Sequence, residues 1–377
     1  MKLNAEFVCH PTIFAINEEY QIVLPVKSEM LFWIRVGDKD YFDHSCGILR
    51  SSTHIHKVDL PKKELDRAKK YTVCYKKLID RKPYFPESEE TVEEVYKFRP
   101  VRKGRPLNIY HISDAHGRVA ESSEAAKLAC GKEIDLLILN GDISDHSSSV
   151  ENISMIYKIA SNITEGSLPC VFSRGNHDMR GAFAEHLSEY TPTDKGVTYF
   201  TFRLGDLWGL VLDCAEDKID SNEEYGGTVC CHAYRTAQTE FLKAVAKAKK
   251  YNARGIKYKM VIAHIPFTYR DLSSDGLFDI ENDLYSEWVK LLNEHIKPDL
   301  LLAGHKHICK TVFPKDPDGD SYGQTFPVVV GARPKNLSGE GGFTGTALRF
   351  ENGNISVTFT DNTGACEHSC DIKTTER

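Results

Sequence analysis

Between residues 107 and 303 the chain repeats one local pattern six times, and this restricts its fold more than any other feature. LNIYHI (107–112), IDLLILN (134–140), LPCVFS (168–173), LWGLVLD (207–213), YKMVIA (258–263) and PDLLLA (298–303) are short, nearly unbroken apolar runs. Apolar runs of this length without polar alternation fit strands buried on both faces, as in the sheets of α/β proteins. Helical spacing separates some of them. In AQTEFLKAVAKAKK, Phe241, Leu242, Val245 and Ala246 share one side with lysines opposite, and SEWVKLLNEHI is a second such segment. The stretch GTALRFENGNISVTFTDN reads as a β-hairpin turning at Asn352–Gly353.

The first hundred residues have a different pattern. Seven β-rich runs succeed one another with turn signals between them: EFVCHPTIFAI, YQIVLPV, EMLFWIRV, KDYFDH, THIHKVDL, KKYTVCYKKL and EEVYKFRPV. Seven short strands in about 100 residues suggest an all-β, immunoglobulin-like sandwich. LDRAKKYTVCYKKL resembles the corner before a late strand of fibronectin type III domains, with Tyr71 as the corner tyrosine, although the cysteine–tryptophan–cysteine pattern of antibody domains is absent. The basic, proline-bearing segment Phe98–Pro106 reads as a linker. Two domains are therefore expected, over 1–100 and 101–377.

The chemistry is carried by the residues just past each apolar run. LNIYHI leads into Asp114 and His116, IDLLILN into Gly141-Asp142, and LPCVFS into Arg174-Gly175-Asn176-His177-Asp178; YKMVIA leads into His264, and PDLLLA into Gly304-His305-Lys306-His307. The carboxyl ends of strands in such sheets line the ligand crevice, so five distant segments would converge on one site. Asp and His ligate zinc, manganese and iron, and an Asn oxygen is a neutral ligand. In extended chain, residues i and i+2 point the same way, so Asp114/His116 and His305/His307 are each expected to face one crevice. Seven ligands are too many for one tetrahedral ion and suit two ions sharing a carboxylate.

The ordered set DxH, GD, GNHD, H and GHxH resembles the calcineurin-like metallophosphoesterase family over roughly residues 107 to 360. The resemblance implies a four-layer αββα sandwich after the β-sandwich. It implies that Asp114, His116 and His307 bind one metal, that Asn176, His264 and His305 bind a second, and that Asp142 bridges them. His177 would act on the leaving group as acid or electrostatic stabiliser, oriented by Asp178, and Gly141 and Gly175 would permit the tight turns. Two divalent ions against two carboxylates leave a centre of about +2, suited to an anion, and metal-bound water ionises near neutral pH. The implied reaction is attack of metal-bound hydroxide on a phosphoester, with Mn, Fe or Zn as the ions. A monoester is the leading substrate, with a phosphodiesterase on cyclic nucleotides, lipid or nucleic acid as alternative and a non-catalytic metal-binding scaffold as the remote one.

The sandwich before the catalytic region resembles the layout of purple acid phosphatases. Those enzymes carry an iron-ligating tyrosine three residues after the GD aspartate, where this chain has Asp145, and lack the histidine present here as His116. Arg174 resembles the arginine in RGNH of serine/threonine protein phosphatases, leaving a phosphate ligand or an ordinary surface arginine as its two readings. His146 and His232 are further candidates for approach to the site; His54, His56 and His111 lie in strands. The loops Glu216–Tyr234 and Phe267–Tyr285 are long for connectors and are either substrate-selecting or plain surface. LSGEGGF (337–343) lacks the strand-then-helix context of a nucleotide motif.

Bulk properties exclude several classes. A net charge of −6 gives no strong nucleic-acid signature. No apolar run approaches the ~18 residues of a membrane span, and no signal peptide is evident. Eleven cysteines without CxxC spacing argue against a disulfide framework and for a reducing, cytoplasmic setting. The expected partner is a phosphoester substrate, with homo-oligomerisation through the N-terminal region an open option.

Overall fold

The computed structural model describes residues 2–270, 276–336 and 341–374. Residues 271–275 of the expected rim loop and 337–340 of LSGEGGF lie outside the described residues. All seven N-terminal strands form: β1 Thr12–Ile16, β2 Glu19–Pro25, β3 Met30–Val36, β4 Lys39–Phe42, β5 Ile55–Pro61, β6 Lys70–Asp80 and β7 Val92–Lys97. A seven-residue helix, α1 (Lys62–Ala68), precedes β6; it is too short for its periodicity to register in the sequence. β3 alternates cleanly, burying Met30, Phe32, Ile34 and Val36.

The catalytic region adds β8 Leu107–Ile112, α2 Val119–Cys130, β9 Leu136–Asn140, α3 Val150–Thr164 and β10 Pro169–Ser173. It continues with β11 Phe200–Leu204, β12 Leu207–Val211, α4 Cys231–Ala248, β13 Tyr258–Ile262, α5 Asn282–Leu291 and β14 Leu300–Ala303. β15 Lys310–Val312, β16 Val328–Val330, β17 Phe343–Glu351, β18 Asn354–Asp361 and β19 Cys366–Lys373 complete it. The β17–β18 hairpin turns at Asn352 and Gly353, both at positive φ (50° and 76°), as an Asn-Gly turn requires.

One sheet runs β19-β18-β17-β8-β9-β10-β1-β2-β5, and a second runs β11-β12-β13-β14-β16-β15. Their inner faces meet, with Ile109, Ile138 and Val171 in one cluster with Val211, Met260 and Leu302. α3 covers the outer face of the first sheet, packing Ile153, Ile156 and Tyr157 near Leu137, Leu139 and Phe172. Leu242 of α4 and Trp288 of α5 pack with Leu210, Val261 and Leu301 on the outer face of the second. The result is the expected four-layer αββα arrangement.

The hydrogen bonding does not stop at residue 100. β1 runs parallel to β10, with Ile13 opposite Pro169 and Phe14 opposite Cys170, so β1, β2 and β5 extend the catalytic sheet. The signal lies in β1 itself: TIFAI is buried at every position, not alternately. Phe14 packs edge-on to Tyr157 of α3 at 6.1 Å while Ile13 and Ala15 enter the inter-sheet core. A strand apolar on both faces needs cover on both, which an edge strand of a free sandwich lacks. The sheet β7-β6-β3-β4 supplies that cover over the extension, with Phe32 and Val73 joining Ile22 and Leu60 in the core. Tyr71 is accordingly no corner tyrosine: its hydroxyl donates 2.9 Å to Gly166 O in the α3–β10 turn, 95 positions away.

Candidate metal centre

The strand ends meet because the sheets are tied there. Asn140, the last residue of β9, donates from Nδ2 to Ala263 O and Leu302 O of the opposite sheet at 3.4 and 3.3 Å. From this junction the segments after β8 and β9 run side by side: Asp114 N donates to Gly141 O and His116 N to Asp142 O, at 3.1 and 3.0 Å. Gly141 is required twice over. Its φ is +80°, and a Cβ there would lie 2.6 Å from both Gly175 N and His264 Nδ1.

The expected alternation is not how the paired ligands converge. Asp114, His116, Asp142, His305 and His307 have φ of 55°, 43°, 52°, 68° and 51°, so these segments are left-handed turns, not extended chain. Asp and His tolerate that region better than most residues. The backbone bonds above hold the turns, and His305 N adds a bond of 2.9 Å to Asp114 Oδ2.

Two groups of ligand atoms result. Asp114, His116 and His307 form one: His307 Nε2 is 3.2 Å from Asp114 Oδ1 and 3.1 Å from His116 Nε2. Asp142, His264 and His305 form the other, with His264 Nε2 3.1 Å from Asp142 Oδ2 and 3.8 Å from Asp114 Oδ1. Asn176 Oδ1 joins it at 3.1 Å from His305 Nδ1. His264 Nδ1 donates to Asn140 O at 2.7 Å, and the buried Nε2 is left facing Asp142 Oδ2. Converging imidazole nitrogens and two buried carboxylates are a donor set suited to a divalent cation.

The carboxylates and imidazoles shift one another strongly. Burial raises the Asp142 carboxyl, but His264, His177 and His116 outweigh it and hold the group below the ordinary carboxylate range. Burial lowers His264, but Asp142 and Asp114 outweigh it, raising the ring to about 10. Burial and the neighbouring His264 push His305 down to about 4.

The residues expected to assist are placed differently. Asp178 does not touch the His177 ring. Its Oδ2 accepts from Gly175 N at 2.8 Å and Asp142 N at 3.2 Å, pinning two ligand-bearing turns, while burial and Asp142 raise its carboxyl to about 7. Those amides lie within reach of the middle side chain of the short helical turn His177–Met179, whereas the His177 ring turns away to Asp145. His177 Nδ1 donates to Asp145 O at 2.8 Å, and its backbone N–H donates to Asp142 Oδ1 at 2.9 Å. Arg174 is not an ordinary surface arginine: it is 14% exposed, its Nε pairs with the buried Asp213 at 2.7 Å, and its guanidinium lies over the Tyr234 ring. His146 is exposed, and His232 pairs instead with Glu281 at 2.9 Å.

Three further groups carry no signal in the sequence. Asp145 Oδ1 lies 3.1 Å from His116 Nδ1. Arg180 Nη1 lies 3.4 Å from His177 Nε2, and the guanidinium is held in two-pronged fashion by the buried Glu216 at 2.9 and 3.0 Å. Asp217 Oδ2 faces His305 Nε2 at 3.6 Å. The long loop after β12 thus reaches the centre. A cleft of about 550 Å³ is lined by Arg174, Met179, Arg180, Glu216, Tyr225 and Cys230 among others; Arg180 links it to His177, and neither His177 nor any of the seven candidate ligands lines it.

Residues 107–309 match the family model for calcineurin-like phosphoesterases. A search of curated protein sequences finds no match. Among solved structures, the purple acid phosphatase PPD1 from yellow lupin (Lupinus luteus) seeds is similar at TM-score 0.61 and 12% identity, over 97% of this chain and 74% of that one. A structure of PhoD is similar at TM-score 0.55 and 11% identity, over 100% and 94% of the two chains. At these identities the likeness is one of fold, and it runs the length of this chain, N-terminal strands included.

Proposed function

The chain belongs to the calcineurin-like phosphoesterase family, and from that premise we propose that it hydrolyses a small-molecule phosphomonoester at a dinuclear metal centre. Asp114, His116 and His307 would hold one ion and Asn176, His264 and His305 the other, with Asp142 between them. The observation that carries the reading is the pairing of two ligand groups across 3.8 Å, from Asp114 Oδ1 to His264 Nε2. When bound, such ions supply Lewis-acid activation of water and of the phosphoryl oxygens.

The chain's own residues do the rest. Asp142 is fixed by the His177 N–H, so the turn that carries the candidate acid also sets the bridging carboxylate. With Nδ1–H directed to Asp145 O, His177 turns Nε2 toward Arg180, which lines the cleft; the ring would meet the leaving oxygen as electrostatic stabiliser, or as acid once Nε2 carries a proton. The cleft supports a small organic leaving group. Its arginines are already paired with Asp213 and Glu216, and its size is that of a small-molecule site.

The test is a turnover screen of protein supplied with Mn²⁺, Fe²⁺ or Zn²⁺, using phenyl phosphate, sugar phosphates, bis-aryl phosphate and cyclic nucleotides. Faster turnover of monoesters is expected, with loss of both turnover and metal in Asp142→Asn. Preference for diesters would assign a phosphodiesterase instead. Tight binding of two ions with no turnover of any ester would leave only the scaffold.

A further inference from the structure

We infer that Asp217 is a positioning residue that sets the His305 ring for metal binding, an inference that rests on the dinuclear reading above. An imidazole that ligates through one nitrogen must place its other N–H on an acceptor, and that acceptor fixes both tautomer and ring angle. Two of the histidines here obey this rule directly. His264 turns Nδ1 to Asn140 O and Nε2 toward Asp142; His116 turns Nδ1 to Asp145 Oδ1 and Nε2 toward His307. His305 is reversed: Nδ1 faces its fellow ligand Asn176 at 3.1 Å, which leaves Nε2 to Asp217 Oδ2 at 3.6 Å.

Asp217 is itself held so that one oxygen stays directed at the ring. Its Oδ1 accepts from the Tyr225 hydroxyl at 3.1 Å and from Lys218 Nζ at 3.2 Å, and Lys218 is anchored in turn by Glu224 at 2.9 Å. The Tyr225 hydroxyl oxygen also accepts from Lys218 N at 3.1 Å, closing the loop on itself. Asp217 is 11% exposed, so water competes little for Oδ2. Without that carboxylate, Asn176 Oδ1 is the better acceptor and draws the His305 proton onto Nδ1, the nitrogen that a metal ion needs free. The carboxylate keeps the proton on Nε2.

The experiment is equilibrium dialysis against Zn²⁺ buffered by a competing chelator, on the full chain, with unfolding curves to confirm folding. Wild type is expected to bind two ions. Asp217→Ala should weaken one of them by about 10–100-fold and leave the other unchanged. Asp217→Asn, which keeps an acceptor oxygen near Nε2, should fall between, and it keeps the test readable if the alanine variant does not fold. Tyr225→Phe removes one of the two bonds that hold Oδ1 but keeps the carboxylate and its Lys218 contact, so its loss should be smaller than that of Asp217→Ala. Nitrogen-15 spectra of zinc-loaded protein should show the His305 proton on Nε2. Two tight ions in Asp217→Ala would overturn the assignment, as would an equal loss in Tyr225→Phe, which would trace the effect to loop packing. Fewer than two ions in wild type would overturn the dinuclear reading and this inference with it.

Discussion

A single methyl group at Gly175 tests how tightly the Asp142 carboxylate, proposed to bridge the two ions, is held. A Cβ there would lie 2.2 Å from Asp142 Oδ1 and 2.5 Å from Asp142 N, well inside contact distance. Gly175 does not have a left-handed φ, so Gly175→Ala adds crowding and no backbone strain. Relief requires moving Asp142 Oδ1, which breaks its 2.9 Å bond from His177 N. Overpacking costs about 1–3 kcal/mol, and a hydrogen bond to a charged group contributes about 1.5–3 kcal/mol. Together, with partial relaxation, a loss of about 2–5 kcal/mol is expected. In a chain of this length that lowers Tm by roughly 2–10 °C, at about 1–2 °C per kcal/mol. Metal affinity should fall too, because Asp142 is the ligand displaced. Gly117→Ala is the control. It also sits beside a ligand and has φ +80°, but its Cβ would meet nothing nearer than Met155 Sδ at 3.6 Å. It should cost about 1–2 kcal/mol in backbone strain and leave metal binding intact. Calorimetry and metal dialysis on both variants decide the matter. Gly175→Ala with wild-type metal affinity would refute the claim that these turns are packed against one another to place Asp142.

Tyr71→Phe leaves the buried Gly166 carbonyl without its donor and should cost about 1–3 kcal/mol, with the whole chain still unfolding in one transition; a separate early transition for the N-terminal strands would contradict the shared sheet. His111 bears on acid stability. Burial pushes its ring from 6.5 down to about 3, against the pull of Asp114. The unfolded chain therefore holds the extra proton between about pH 6.5 and 3, and stability falls as pH drops through that window. At pH 5 the deficit is about 2 kcal/mol, at 1.36 kcal/mol per unit over ~1.5 units. Urea unfolding of wild type and His111→Gln at pH 7.5 and 5.0 should show wild type losing that much more on acidification. His177→Ala should lower kcat by about 10²–10⁴ with metal content unchanged; loss of metal would make His177 a ligand.

Most of the catalytic fold is legible because buried parallel strands are unbroken apolar runs, and all six such runs form strands. The elements that escape have weaker local signals. α3 is easily missed although Ser149 caps it, accepting from Asn152 N, and Ile153, Ile156, Tyr157 and Ala160 lie on its buried side. β19 (CEHSCDIK) is a largely exposed edge strand with almost no apolar alternation to read. The joining of the N-terminal strands to the catalytic sheet is written in TIFAI, buried at all five positions, but short-range pattern shows only that a strand wants cover, not which sheet provides it. The ligand types are legible for the same reason as the strands: they sit immediately after them. Their supports are not. Asp145, Arg180 and Asp217 act across turns and loops, where sequence distance says little about contact.

The geometry of the paired ligands explains why the motif spacing is so short. An extended HxH would aim two side chains in parallel, at one ion, whereas His305 and His307 face different ligand groups. Asp114 and His116, and His305 and His307, instead have positive φ at both members, so each tripeptide curls. His305 accordingly reaches Asn176 while His307, two residues on, reaches His116. Left-handed non-glycine residues cost of order 1–3 kcal/mol each and persist only where surroundings over-determine them. Here the surroundings are the amide bonds onto Gly141, Asp142 and Asp114 and the glycines that let the turns touch. The metal ligands are thus held in a shape the apolar strands do not dictate. A ligand exchanged for a β-branched residue should therefore lose more than its donor atom, because the turn that aims its neighbour would open as well.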